Sequence, residues 1–185
     1  MAQTTNKSKQ KALDVAFMGL LFALSVILSF IEGLIPTSFL PPGVKLGLSN
    51  ILTMYCIFFL GAKRAFALAT LKSLFVFLTR GFTASMMSLA GGLFSVLVIL
   101  LLCKIKKAKL SYLILSVIGA ISHNIAQMFM ITLIFKNAFT IWYMPILLIS
   151  GVIMGVITGF ILKAVLPALS KLKISITGEK KEEYI

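Results

Sequence analysis

Residues 12–50 read ALDVAFMGLLFALSVILSFIEGLIPTSFLPPGVKLGLSN, and the two halves of this stretch set the fold class and the place to look for function. The first half, residues 12–35, is apolar apart from Asp14 and Glu32 near its ends. At 1.5 Å per residue it is long enough to cross a hydrocarbon core of about 30 Å. No small-residue cleavage pattern follows it, so it reads as a retained membrane helix rather than a signal peptide. The second half ends in PPGVKLGLSN at Pro41 to Asn50, where a proline- and glycine-bearing segment leads into a lysine, a serine and an asparagine. Pro36, Pro41, Pro42 and Gly43 make this connection stiff and irregular, because proline fixes φ and donates no backbone hydrogen bond. The segment is expected to act as a lid, Pro36 to Val44, over a binding edge at Lys45, Ser49 and Asn50.

The rest of the chain extends the same pattern. Hydrophobic residues make up 59% of its 185 residues, against roughly 45–50% for a soluble domain. This composition predicts an all-α integral membrane protein, and the apolar runs predict six transmembrane helices at about 12–35, 45–60, 65–80, 82–103, 110–135 and 141–166. The second and third are short: 16 residues reach only about 24 Å, so tilt, breakage or shielding by neighbours is expected there. Around the helical domain, 12–166, the reading places a basic cytoplasmic N-terminal segment, 1–11, and a charged cytoplasmic C-terminal tail, 167–185.

The formal charge of +13 would point to nucleic acid in a soluble chain, but its distribution has a different meaning here. Lys7, Lys9 and Lys11 precede the first run; Lys63 and Arg64 separate the second from the third; Lys104, Lys106, Lys107 and Lys109 separate the fourth from the fifth. Lys163, Lys171, Lys173, Lys180 and Lys181 follow. These groups hold 14 of the 18 basic residues and fall on one side of a six-crossing chain, the positive-inside pattern with both termini cytoplasmic. Cys56 and Cys103 sit within or at the cytoplasmic end of apolar runs and read as packing residues, not as a disulfide framework.

The remaining cations and the polar residues inside the spans carry the functional reading. A basic side chain at the bilayer centre costs about 2.5–3.5 kcal/mol on insertion scales, and Lys72 lies midway along the third span. It is either a functional group or a structural ion pair or snorkelling residue. His123 and Gln127 are four apart and share a helical face, with Asn124 about 100° around from His123; they form an interhelical hydrogen-bonded cluster or contact a polar substrate. Lys45, Arg80 and Lys136 make the outer mouth basic against Glu32, which is within reach of Lys45; this favours an anionic or phosphate-bearing ligand, or lipid headgroups. Trp142 and Tyr143 read as interfacial anchors or as a stacking surface. One histidine makes no zinc site and neither cysteine is placed to help it, so no metal or other cofactor is expected.

Small residues recur at helical spacing. Ala12, Ala16, Gly19 and Ala23 line one side of the first helix and meet either the bundle or another subunit. Gly151, Gly155 and Gly159 form two overlapping GxxxG units that favour close helix packing. Ser85, Ser88, Gly91, Gly92 and Ser95 in the fourth span serve packing or leave space for a ligand.

Several function classes are excluded. There is no GxxxxGK[ST], so the chain has no P-loop of its own. Prenyl chain elongation needs aspartate clusters that hold magnesium and diphosphate, whereas Asp14 is the single aspartate. The chain is therefore not expected to be an enzyme. It also lacks the clear internal repeats and acidic carriers of a secondary transporter.

PGVKLGLSNI at Pro42 to Ile51, FFLGAKRA at Phe58 to Ala65, SLAGGLFS at Ser88 to Ser95, GAISHNIAQ at Gly119 to Gln127 and SGVIMGVITG at Ser150 to Gly159 together resemble the Gx transporter family. That family is also labelled heptaprenyl diphosphate synthase component I, and it is similar to the substrate-binding S components of energy-coupling factor (ECF) transporters. The resemblance covers about residues 12–165. It implies a six-helix subunit in a prokaryotic cytoplasmic membrane that captures a small molecule from outside. A transmembrane T component and two ABC-type ATPases would energise uptake. It further implies that the small-residue face beginning at Ala12 and Ala16 docks on the T component and that residues 36–44 cap the pocket. Substrate contacts are expected from Lys45, Ser49, Asn50, Lys72, Arg80, His123, Asn124 and Gln127. Vitamins, flavin-like compounds and isoprenoid or quinone precursors are compatible substrates. The alternative is a noncatalytic membrane accessory subunit of polyprenyl diphosphate or quinone synthesis.

Overall fold

A computed structural model describes residues 2–34, 47–104, 110–136 and 142–177. These form six helices: α1 (Ala2–Leu34), α2 (Asn50–Phe59), α3 (Ala62–Arg80), α4 (Phe82–Lys104), α5 (Tyr112–Phe135) and α6 (Met144–Thr177). The protein is an all-α membrane protein. Four segments are long and apolar enough to cross a bilayer: Ser8–Leu34, Phe82–Lys104, Tyr112–Phe135 and Met144–Ile174. Helix α3 has 19 residues and so a length of about 28 Å, but Lys63, Arg64, Lys72 and Arg80 make it too polar to be counted with them.

Helix α2 departs from the expected second span. It has ten residues and spans only about 15 Å, half a hydrocarbon core. The reason lies in residues 47–49. Gly47 has φ +75°, a left-handed conformation that glycine adopts without steric cost. The Asn50 and Ile51 amides donate to the Gly47 and Leu48 carbonyls at 2.8 and 3.2 Å, so a turn stands at residues 47–49, where the expected span is helical. From Ile51 to Phe59 every residue is buried, as befits a short helix that is apolar all round and enclosed by others.

The outer bounds also differ. The polar residues 2–11 continue α1 as helix, and α6 runs past Pro167 to Thr177. Pro167 removes one amide from the helical ladder, and packing on the far side holds the helix together. Leu169 is buried in the core with Leu172 against it, and the Tyr55 hydroxyl donates to the Leu169 carbonyl at 3.3 Å. Residues 178–185 lie outside the described residues.

The core is built around α2. Tyr55 packs edge-on against Phe17 of α1 at 6.4 Å and stacks on Phe59 at 5.2 Å, while Phe58 meets Tyr112 of α5 at 5.0 Å. Cys56 is buried among them as a free thiol. At the end of α1 that carries Asp14, its carboxylate pairs with Arg64 of α3 at 2.6 Å. Replacing Tyr55 with phenylalanine keeps the ring contacts and removes one long hydrogen bond, so a thermal melt should show a loss of at most about 1 kcal/mol.

Helices α5 and α6 approach backbone to backbone along the glycine run. A Cβ on Gly155 would stand 2.6 Å from the Val117 Cα, and one on Gly159 would stand 3.1 Å from the Leu113 Cα. The GxxxG units therefore serve packing within the bundle. Helices α3 and α4 are joined through Gly81 alone, at φ +82°, which turns the chain back sharply. In contrast, Ala12, Ala16, Gly19 and Ala23 are all exposed on α1, and a Cβ on Gly19 would meet nothing within 4 Å.

Candidate functional site

Between the helices lies a cavity of mixed polar and apolar lining, with a volume of about 110 Å³ open to the centres of water-sized molecules. One water needs about 10–15 Å³ on that measure, so there is room for a ligand of several atoms. Its wall is made of helical stripes at the 3.6-residue period. Helix α2 contributes Asn50, Thr53 and Ile57; α3 contributes Ala69, Lys72, Val76 and Arg80; α4 contributes Ser88, Gly92, Ser95 and Ile99. Helix α5 adds Ser116, Gly119, His123 and Gln127, with Ala120 and Asn124 beside them, and α6 adds Gly151, Met154 and Thr158. Ser29 and Glu32 of α1 and the turn residues Gly47 and Ser49 complete it.

The position of α2 follows from its shortness. Because the helix begins only at Asn50, its first turn forms part of the cavity wall instead of continuing past it. Lys72 Nζ donates to Asn50 Oδ1 at 2.9 Å, fixing the deep cation of α3 to the start of α2. Glu32 Oε1 accepts from the Gly47 amide at 2.6 Å; this bond ties α1 to the turn. On the opposite wall the Asn124 amide donates to the Leu147 carbonyl at 2.8 Å, and the Ser116 and Thr158 hydroxyls bond each other at 2.9 Å. The Thr53 hydroxyl is buried and has no hydrogen-bond partner among the described residues.

The charged residues of the described wall are Lys72, Arg80 and Glu32, a net positive set. Lys72 and Arg80 stand eight residues apart on one face of α3, with Val76 between them, so they sit at two depths about 12 Å apart. Arg80 is exposed at the end of α3 and its guanidinium lies beside Gly33 of α1. Such an arrangement can draw in an anion at the shallow station and hold it at the deep one.

The structure brings together Ser49, Asn50, Lys72, Arg80, His123, Asn124 and Gln127 in one wall. Lys45 and the lid segment 36–44 lie outside the described residues. Glu32, expected to be within reach of Lys45, bonds the Gly47 amide. Lys136 is absent from the described wall: it caps α5 in a left-handed conformation, φ 50°, and is exposed. Trp142 is 83% exposed and neither it nor Tyr143 lines the cavity, which favours interfacial anchoring over stacking. The fourth span divides its tasks. Ser88, Gly92 and Ser95 face the cavity, whereas Ser85 bonds the Ser73 carbonyl and a Cβ on Gly91 would strike His123 at 2.8 Å. Ser29, Thr53, Ser116 and Thr158 were not anticipated. Thr53 was open to discovery, since it lies three residues after Asn50 on the same face.

A protein-family model described as heptaprenyl diphosphate synthase component I matches residues 21–165. Neither a curated protein nor a solved structure matches the chain.

Proposed function

Because the chain belongs to the heptaprenyl diphosphate synthase component I family, we propose that it is the substrate-binding membrane subunit of a multi-protein uptake system. It would capture a small anionic or polar-headed molecule and act without catalysing a reaction. The observation that carries this reading is the pair Lys72 and Arg80 on one face of α3, opening with Asn50, His123 and Gln127 onto one shared cavity. Intramembrane charges and polar groups around a cavity mark a solute site far more often than a lipid-facing surface.

In this reading the protein resides in a prokaryotic cytoplasmic membrane with both termini cytoplasmic, and it works like an ECF S component. A T component and two ABC-type ATPases supply the energy. The exposed face of Ala12, Ala16, Gly19 and Ala23 supports a docking role, since small side chains let a partner helix approach closely in lipid. The family's description favours one other reading, a noncatalytic membrane accessory subunit of polyprenyl diphosphate or quinone synthesis.

Affinity purification from native membranes separates the two. Recovery of a T component with ATPases supports uptake, and recovery of a soluble prenyl synthase in their place supports the accessory role. Leucine at both Ala12 and Ala16 should reduce ATPase recovery at least several-fold while leaving ligand binding intact. Retained ATPases with lost ligand binding would contradict the docking assignment.

A further inference from the structure

The cavity wall is selective in a way that bears on ligand class. The chain holds 15 phenylalanines, four tyrosines and a tryptophan, yet none of these lines the cavity among the described residues, where His123 carries the one aromatic ring. Phe17, Tyr55, Phe58 and Phe59 are spent in the core around α2, and Trp142 lies on the surface. The apolar part of the wall is aliphatic or thioether: Met54, Ile57, Val76, Ile99 and Met154. Planar ring ligands are usually gripped by large aromatic faces within an apolar pocket, and the described wall offers no phenylalanine, tyrosine or tryptophan, only the small imidazole of His123.

The polar end of the wall supplies donors. Lys72 carries three N–H groups, the Asn50 side chain adds two, and the start of α2 brings the positive end of its helix dipole. Thr53 is the independent sign of a ligand. It is only 5% exposed, it lines the cavity one turn beyond Asn50, and its hydroxyl has no partner among the described residues. A buried polar atom left in that state calls for an explanation, and an acceptor-only head group beside Lys72 and Asn50 would provide one.

We infer that the cavity takes a small non-aromatic oxyanion, a carboxylate or phosphate on an aliphatic body, with its head at Lys72, Asn50 and Thr53. This rests on the binding role proposed above and narrows it: flavin-like and other ring-bearing substrates are set aside.

The test is thermal stabilisation of the full-length protein in detergent by sodium butyrate, glutarate, inorganic phosphate, benzoate and flavin mononucleotide, each against sodium chloride at equal ionic strength. Butyrate, glutarate or phosphate should stabilise the protein, and the relative response of these three distinguishes a carboxylate head from a phosphate head. Benzoate and flavin mononucleotide should not stabilise it. In Thr53→Val, which keeps the shape and removes the hydroxyl, half-maximal stabilisation should need about tenfold more of the active anion, while the unliganded melting temperature holds or rises. Equal or stronger stabilisation by benzoate or flavin mononucleotide overturns the aliphatic assignment and leaves the anion-binding role standing. Unchanged anion response in Thr53→Val overturns the placement of the head. Silence from every probe overturns both this inference and the role on which it rests.

Discussion

Replacing Lys72 with methionine is expected to weaken ligand binding by about 30-fold or more while the protein keeps its fold. The ammonium group lies inside the bundle, held to Asn50 Oδ1 at 2.9 Å, in a wall whose other described charges are Arg80 and Glu32. Against an anionic ligand Lys72 would be one member of a buried, hydrogen-bonded charge pair; truncating such a member costs about 2–5 kcal/mol, and each 1.4 kcal/mol is about tenfold in affinity. The methionine chain fills nearly the same volume without a charge to desolvate, so the unliganded protein should melt no lower than the wild type. Titration followed by intrinsic fluorescence or calorimetry reads the loss. Binding within a few-fold of wild type in a well-folded Lys72→Met protein would remove Lys72 from the site.

The second large effect is structural. Leucine at Gly155 forces a side chain into a place where even its Cβ would be 2.6 Å from the Val117 Cα. Backbone cannot yield as a flexible side chain does, so the cost should exceed the usual overpacking penalty of about 1–3 kcal/mol. For a chain of this size 1 kcal/mol lowers the melting temperature by about 2–4 °C; a drop of about 10 °C or loss of monodisperse protein is expected. Leucine at Gly19, where a Cβ would meet nothing within 4 Å, should leave the melt unchanged. Equal melting temperatures for the two variants would show that α5 and α6 do not pack along the glycine run.

These two positions illustrate what was legible in the sequence. The glycine run announced close helix packing through its spacing alone, and Lys72 stood out because a charge within an apolar run is costly. Asn50, His123, Asn124 and Gln127 stood out as polar groups within or at the start of apolar runs. Thr53, Ser116 and Thr158 did not, because a threonine or serine in a helix can satisfy itself on the carbonyl one turn back, as Thr158 does on Met154 at 2.8 Å. Only the fold reveals that Thr53 lacks such a bond while Ser116 reaches across to Thr158.

The helix bounds divide in a similar way. Long apolar runs made α1, α4, α5 and the first part of α6 evident, since their length matches the bilayer. The late start of α2 was hidden because Leu46 to Ser49 have no helix-breaking proline, and the decision falls to the left-handed turn at Gly47. The sixth span was expected to end at residue 166, and α6 runs on through Pro167 to Thr177. The amide lost at Pro167 is outweighed by Leu169 and Leu172 packing onto the core, a tertiary effect with no local signature.

Native mass spectrometry of the protein released from its own membrane most directly tests the claim that this cavity holds a small anion. The account predicts one small, non-aromatic, negatively charged molecule bound to the wild type and absent from Lys72→Met. A neutral, cationic or ring-bearing molecule retained equally by both proteins would contradict it.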